Sequence, residues 1–124
     1  MAASENGKLR ELASSFVKLD RFDGGNFRRW QKKMHFLLST LKIAYVLTTP
    51  RPEENETESV AATRERQKWD NADYMCIGHI LNGLSDSLFD AYQNETTAKE
   101  LWDKLEARYM TEDANSKKFL VSHF

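Results

Sequence analysis

Residues 22–38, FDGGNFRRWQKKMHFLL, combine the residue types that bind phosphate groups. Two glycines precede an asparagine, and basic and aromatic side chains alternate after it. Such a stretch could form a phosphate-binding loop, a nucleic-acid contact or the start of a helix. The glycine pair matches neither the P-loop nor the dinucleotide-binding pattern, and no Lys-Ser/Thr follows it. The spacing therefore predicts a helix start rather than a nucleotide site.

Histidine and cysteine are too sparse for a metal site or an active site. The three histidines and one cysteine show neither H-x₃-H nor C-x₂-C spacing. His79 lies beside the apolar stripe of a predicted helix and Cys76 lies on it, where packed side chains are common. No G-x-S-x-G, H-E-x-x-H or glycine-rich phosphate motif occurs. The sequence predicts no enzyme, with no catalytic, cofactor-binding or metal-binding residues.

Composition is typical of one globular domain. Of the 124 residues, 40% are hydrophobic and 30% are charged, which is enough for a single core. The sequence shows neither the apolar region of a signal peptide nor a membrane-spanning run. A single cysteine excludes a disulfide framework. A cytoplasmic, intracellular location is expected, with neither a membrane nor a small-molecule substrate as partner.

The net charge of −1 is unevenly distributed. Residues 1–42 contain nine Lys/Arg and four Asp/Glu, a net +5, whereas residues 43–100 contain five and eleven, a net −6. Such a chain can attract copies of itself head to tail, and its basic part can attract polyanions. The alternative is that these charges only make the surface soluble.

Periodicity predicts a first helix after Asn26, which is a good N-cap residue. Its apolar residues recur at spacings of three and four. They are Phe27, Trp30, Met34, Leu37, Leu38 and Leu41. The opposite face is basic: Arg28, Arg29, Lys32 and Lys33. An apolar segment at 43–47 predicts another turn before a loop that contains both prolines.

The longest helix is expected from about Val60 to Leu81, where an Asn-Gly pair stops it. A helix capped by Ser85 follows. The next one opens with a capping box of Thr97 and Glu100 and continues with an ion pair between Glu100 and Lys104.

The last helix is expected to begin at Thr111 and to be truncated by the end of the sequence. The fold prediction is an all-α, compact bundle of five or six helices. Residues 1–19 are expected to form an N-terminal segment with a short helix that packs on the bundle, and residues 20–124 form the domain. The predicted core combines one tryptophan from each of three helices with aliphatic neighbours. It consists of Trp30, Leu37, Trp69, Ile80, Trp102, Leu105 and Tyr109.

Four segments together resemble one known family. They are FDGGNFRRWQKKM, YVLTTPRP, RQKWDNADYMCIGHILNGLSDSLFDAYQ and TAKELWDKLEARYMTEDANSKKFLVSHF. Their order and spacing are similar to the N-terminal Gag region of plant copia-type LTR retrotransposons, over residues 20–124. The resemblance implies a helical, capsid N-terminal-lobe-like domain without enzymatic activity, which multimerises into a particle around the element's RNA. The zinc knuckle C-x₂-C-x₄-H-x₄-C that usually follows in this family does not occur in this sequence.

The sequence thus predicts a structural Gag domain whose partners are other Gag copies, bound weakly in isolation. Two alternatives stay open. One is a host adaptor derived from Gag that binds a partner peptide in a groove between helices. The other is a module that binds RNA weakly and non-specifically. The residues expected at an RNA or assembly face are Arg28, Arg29, Lys32, Lys33 and Phe36.

Phe36 breaks the pattern of the first helix. On a helical wheel it points roughly 150° away from the apolar face, into the basic stripe. A large aromatic side chain there should be covered. The N-terminal segment is the favoured cover, because Leu9, Leu12, Ala13 and Phe16 recur at helical spacing. A neighbouring subunit is the alternative, in which case Phe36 belongs to an assembly contact.

Overall fold

The computed structural model describes residues 21–122 and the side chains of residues 21–111. Four α-helices carry the fold of this part of the chain: α1 Phe27–Thr40, α2 Val60–Asn82, α3 Asp86–Tyr92 and α4 Ala98–Ser122. A 3-10 turn, Ala44–Leu47, lies between α1 and α2. The all-α prediction is confirmed, but the described residues contain four α-helices rather than five or six. The predicted N-terminal segment, residues 1–19, lies outside the described residues.

The predicted helix break at Thr111 is wrong, because α4 runs through it. No glycine or proline interrupts α4, and the Thr111 hydroxyl donates to the Ala107 carbonyl oxygen at 3.1 Å. With 25 residues, α4 is also longer than α2 with 23, so the expected longest helix was the wrong one. Lys104 pairs with Glu95 at 2.8 Å instead of with Glu100.

The helix starts show two kinds of capping. The Ser59 hydroxyl accepts a hydrogen bond from the Ala62 amide, and the Thr97 hydroxyl accepts one from the Glu100 amide, both at 3.1 Å. Asn26 precedes α1 as predicted, but its side chain makes no capping bond. Its φ of 58° lies in the left-handed region, which asparagine tolerates better than most residues. Its backbone conformation therefore turns the chain into the helix.

One core joins all these elements. Trp30 and Trp69 are buried, and each indole N–H donates to a backbone carbonyl at 2.9 Å, in Gly83 and Thr49 respectively. These bonds tie α1 to the end of α2, and α2 to the proline loop. Four further predicted core residues lie in the same buried cluster: Leu37, Ile80, Leu105 and Tyr109. Trp102 differs, since it is only half-buried at the edge of this cluster.

Gly83 follows the last residue of α2, as the Asn-Gly pair predicts, and its φ of −85° lies outside the left-handed region. Phe22 forms an isolated bridge with the next residue, Leu84, and its amide donates to the Gly83 carbonyl at 2.8 Å. A Cβ atom on Gly83 would lie 2.5 Å from the Met34 methyl and 3.3 Å from the Trp30 indole nitrogen. A larger residue here would displace the end of the Met34 side chain, because α1 packs closely against the end of α2.

Asp73 of α2 fixes the start of α4. Its carboxylate is buried and accepts a hydrogen bond from the Ala98 amide at 2.9 Å. Burial raises the pKa of Asp73, because desolvation disfavours its charged form. The hydrogen bond satisfies one of the amide groups that the first turn of a helix leaves without a helical partner.

Replacing Asp73 with alanine should lower the free energy of unfolding by about 1–3 kcal/mol, because the buried Ala98 amide loses its acceptor. Asp73→Asn is the matched control, since it keeps a side-chain oxygen and removes a charge whose burial is unfavourable. Urea unfolding at neutral pH measures both. Equal losses for the two variants would contradict the capping role.

A buried arginine anchors the start of α2. The Arg66 side chain is 10% exposed and donates to the Glu58 carboxylate at 2.6 Å, and the Thr63 hydroxyl donates to it at 2.9 Å. The hydrogen bond from Arg66 is the largest cause that lowers the pKa of Glu58 from 4.5 to about 2. The pair connects the proline loop with the first turns of α2.

This pKa shift predicts a pH dependence of stability. A carboxyl group whose pKa is lowered by folding stabilises the protein fully above its unfolded pKa of 4.5. That contribution is lost as the pH falls toward the folded value of about 2. Glu58→Gln should therefore flatten the fall in unfolding free energy over this range. The control is Glu56→Gln, at an exposed carboxylate outside the ion pairs of the described residues. Superimposable pH profiles for Glu58→Gln and the wild type would refute the assignment.

No helix within residues 21–122 has the length and apolar character needed to cross a membrane.

Candidate functional site

The outer face of α1 is basic, as the amphipathic pattern predicts. Arg28, Arg29, Lys32 and Lys33 are all exposed. Among the residues that the structure describes, Arg29 and the two lysines form no ion pair. Arg51, by contrast, is paired with Asp70 at 2.8 Å. Arg29, Lys32 and Lys33 therefore present uncompensated positive charge to the solvent.

An open groove of about 510 Å³ lies between α1 and α4, and we call it the basic groove. Its lining combines cationic, polar and apolar side chains. They are Arg28, Gln31, Lys32, His35, Phe36, Trp102 and Met110. Phe36 is 52% exposed at its edge, an unusual position for a phenylalanine. Phe36 thus lies in the lining of a groove. Its predicted cover, the N-terminal segment, lies outside the described residues.

Trp102 and Met110 bring α4 into the basic groove. The Trp102 ring lies 6.3 Å from that of Trp30 and 6.5 Å from that of His35, measured between centroids. The Met110 sulfur accepts a hydrogen bond from Arg28 Nε at 3.1 Å. Trp102 therefore joins the core to the groove, with one side packed and the other accessible. Its place at the flank of the apolar stripe, directly after the buried Leu101, is the only sequence signal for this role.

The walls of the basic groove are linked by a polar contact across the two helices. Gln31 of α1 donates to the Glu106 carboxylate of α4 at 3.0 Å. This contact also places one acidic group beside the cationic lining. The groove lining therefore mixes apolar and cationic side chains, with one carboxylate next to it.

A second, smaller hollow borders the glycine loop that precedes α1. It has a volume of about 140 Å³, and Arg21, Arg29 and Lys33 lie at its edge. Arg21 forms an ion pair with Asp86 at 3.4 Å, and both side chains are largely exposed. This hollow extends the basic surface of α1 toward the start of the described chain.

The opposite sign of charge collects in the loop before α2. Glu53, Glu54 and Glu56 are exposed, and Glu58 is paired with Arg66. We call residues 53–58 the acidic loop. Val60, which opens α2 just after it, is 69% exposed. The split in charge along the sequence is thus a split between two exposed surfaces.

Cys76 is buried and His79 is half-buried. The Cys76 side chain is fully buried and its thiol donates to the Ile43 carbonyl at 3.2 Å. Burial raises its pKa to about 12 and lowers that of His79. In residues 21–111 no three His, Cys, Asp or Glu side chains are grouped so that they could hold a metal ion.

The comparisons with known proteins give one match. The family model described as gag-polypeptide of LTR copia-type matches residues 34–124, about three quarters of the chain. The match begins within α1, so the basic residues 28–33 precede it. Neither the curated proteins nor the solved structures contain a match to this chain.

Proposed function

The chain belongs to the gag-polypeptide family of LTR copia-type elements, and on that basis we propose that it associates with other Gag copies to build a retrotransposon virus-like particle. The family is structural and non-enzymatic, so a structural Gag or capsid role follows from membership. Self-association, RNA packaging and the absence of catalysis in this chain are parts of the proposal.

The observation that best supports self-association is the basic groove. It exposes Phe36 and part of Trp102 beside Lys32, which forms no ion pair among the described residues. Apolar surface surrounded by polar groups is typical of protein contacts. One such contact per molecule is weak, but many together stabilise a shell through multivalency.

RNA binding is the second function that an observation favours. Arg29, Lys32 and Lys33 extend along one exposed helix face, where they can neutralise phosphates. Contacts to phosphates alone read no sequence. We propose that this domain binds RNA weakly, without sequence preference and less well as salt increases.

A peptide-binding adaptor would use the same groove for a segment of another protein. The two functions differ in the partner, because a capsid domain must bind copies of itself. Electron microscopy of a Gag polypeptide that contains this domain, with and without RNA, separates them. We expect closed particles, more numerous with RNA. Dispersed protein under both conditions would contradict the capsid function.

A further inference from the structure

We propose that the basic groove binds the acidic loop of a second copy of this chain, so that copies join head to tail. This contact rests on the proposed self-association and specifies the surfaces that carry it. Phe36 is then covered in the assembly by the neighbouring molecule.

The chemistry of the basic groove defines what it can bind. Phe36, Trp102 and Met110 offer apolar surface, and Lys32 supplies a cation beside it. A suitable ligand has an apolar anchor flanked by carboxylates. Polyphosphate is negatively charged, but it has no apolar group that could pack against the apolar side chains of the groove. The Glu106 carboxylate, held at the groove by Gln31 at 3.0 Å, also repels phosphate.

The acidic loop of the same chain fits that description. It contains four glutamates and no basic residue, and Val60 follows it as an exposed apolar side chain. The loop is also structured. Asn55 accepts a hydrogen bond from the Thr57 amide at 3.2 Å, and its carbonyl accepts one from the Glu58 amide at 3.1 Å. An ordered loop loses less conformational entropy when it binds.

The loop and the groove of one molecule belong to different surfaces. The loop is held against α2 of its own chain by the Arg66 bond to Glu58 at 2.6 Å. The residues just before it are held there by Arg51 and Asp70, whose atoms are 2.8 Å apart, and by the Trp69 bond to Thr49. No residue of the acidic loop lines the basic groove, which lies between α1 and α4. A second copy brings the two surfaces together, and each added molecule leaves one groove and one loop available. Such heterologous contacts generate rings or open chains.

The N-terminal segment matches the groove less well by charge. Residues 1–20 contain three basic and three acidic side chains, so they bring no net negative charge to the basic groove. The acidic loop brings four glutamates within six residues; Glu54 and Glu58 are paired with arginines of their own chain, and Glu53 and Glu56 form no ion pair among the described residues. Charge complementarity therefore favours the loop of a second copy over a segment of the same chain.

Charge reversal on each surface, followed by mixing, tests this contact. Lys32→Glu, in the groove lining, with Lys33→Glu beside it on α1, reverses the charge of two lysines at the groove, and Glu53→Lys with Glu56→Lys reverses that of two glutamates in the loop. All four side chains are exposed and form no ion pair among the described residues, so both variants should fold. Each alone should associate at least about tenfold more weakly than the wild type, because like charges then meet. Their equimolar mixture should regain association to within about threefold of the wild type, because each contact again joins opposite charges.

The matched control is Lys42→Glu with Lys68→Glu, which changes the net charge equally at exposed lysines outside both surfaces. This control should associate as the wild type does. Sedimentation velocity of the full chain, treated with nuclease, measures all of these samples. A mixture that remains as weak as its components would overturn the proposed contact.

The outcomes separate this contact from the proposed function. If the wild type associates and both reversed variants associate equally well, the contact is wrong and the capsid proposal stands. If the wild type remains a monomer, both fail.

Phe36→Ser tests an internal cover. A loss of stability as large as that of a core substitution would show that Phe36 is covered within its own chain, which also overturns the contact. If only RNA binding falls in the groove variant, the groove is an RNA surface and the contact is again wrong.

Discussion

Replacing Trp30 with alanine is expected to lower the free energy of unfolding by about 3–5 kcal/mol. The side chain is 8% exposed, and its ring centroid lies 5.3 Å from that of Phe22 and 5.7 Å from that of Phe27. Its indole N–H also donates to the Gly83 carbonyl at 2.9 Å. The substitution removes the contacts that join α1 to the end of α2 and leaves a cavity between them.

Trp102→Ala is the internal comparison for this prediction. The same side chain is removed, but Trp102 is half-buried and faces the basic groove, where solvent can fill the space. We expect a loss of no more than about 2 kcal/mol. Chemical unfolding followed by circular dichroism measures both variants. Equal losses would contradict the placement of Trp30 in the core and Trp102 at its edge.

Cys76 should react with a thiol reagent at least about a thousandfold more slowly in the native protein than in the unfolded chain. The reactive species is the thiolate, and burial raises the pKa of Cys76 from 9.0 to about 12. That shift alone reduces the thiolate fraction at neutral pH by about a thousandfold. The side chain has no exposed surface, so the reagent must also wait for the core to open.

The labelling rate can be followed through denaturant and compared with a destabilised variant. Trp30→Ala should accelerate labelling by the same factor by which it increases the equilibrium constant for unfolding, because labelling occurs in the opened state. Native labelling at a rate close to that of the unfolded chain would show that Cys76 is accessible and that α2 is misplaced.

Most of the helices could be predicted because their apolar residues recur at helical spacing. Phe27, Trp30 and Met34 mark one face of α1, and that face is buried. The prediction failed at Thr111, where residues typical of a helix start suggested a break. Capping residues are frequent at helix starts, but they do not interrupt a helix that lacks glycine and proline.

The part of the candidate site on α1 could be predicted from the sequence, but the part on α4 could not. The basic face of α1 and the exposure of Phe36 follow from the period of a single helix. The contribution of Trp102 and Met110 depends on how α4 crosses α1, which is set by tertiary packing and not by the spacing within either helix. The sequence therefore assigned Trp102 to the core, although it lies at the edge between core and groove.

Sedimentation equilibrium of the full chain over a range of concentrations tests self-association most directly. A monomer has a mass of 14.4 kDa. We expect the weight-average mass to rise above this value between about 10 μM and about 1 mM, and to rise less at high salt, because the proposed contact joins opposite charges. A mass that stays at 14.4 kDa over the whole range, at low and high salt alike, would contradict self-association through this domain.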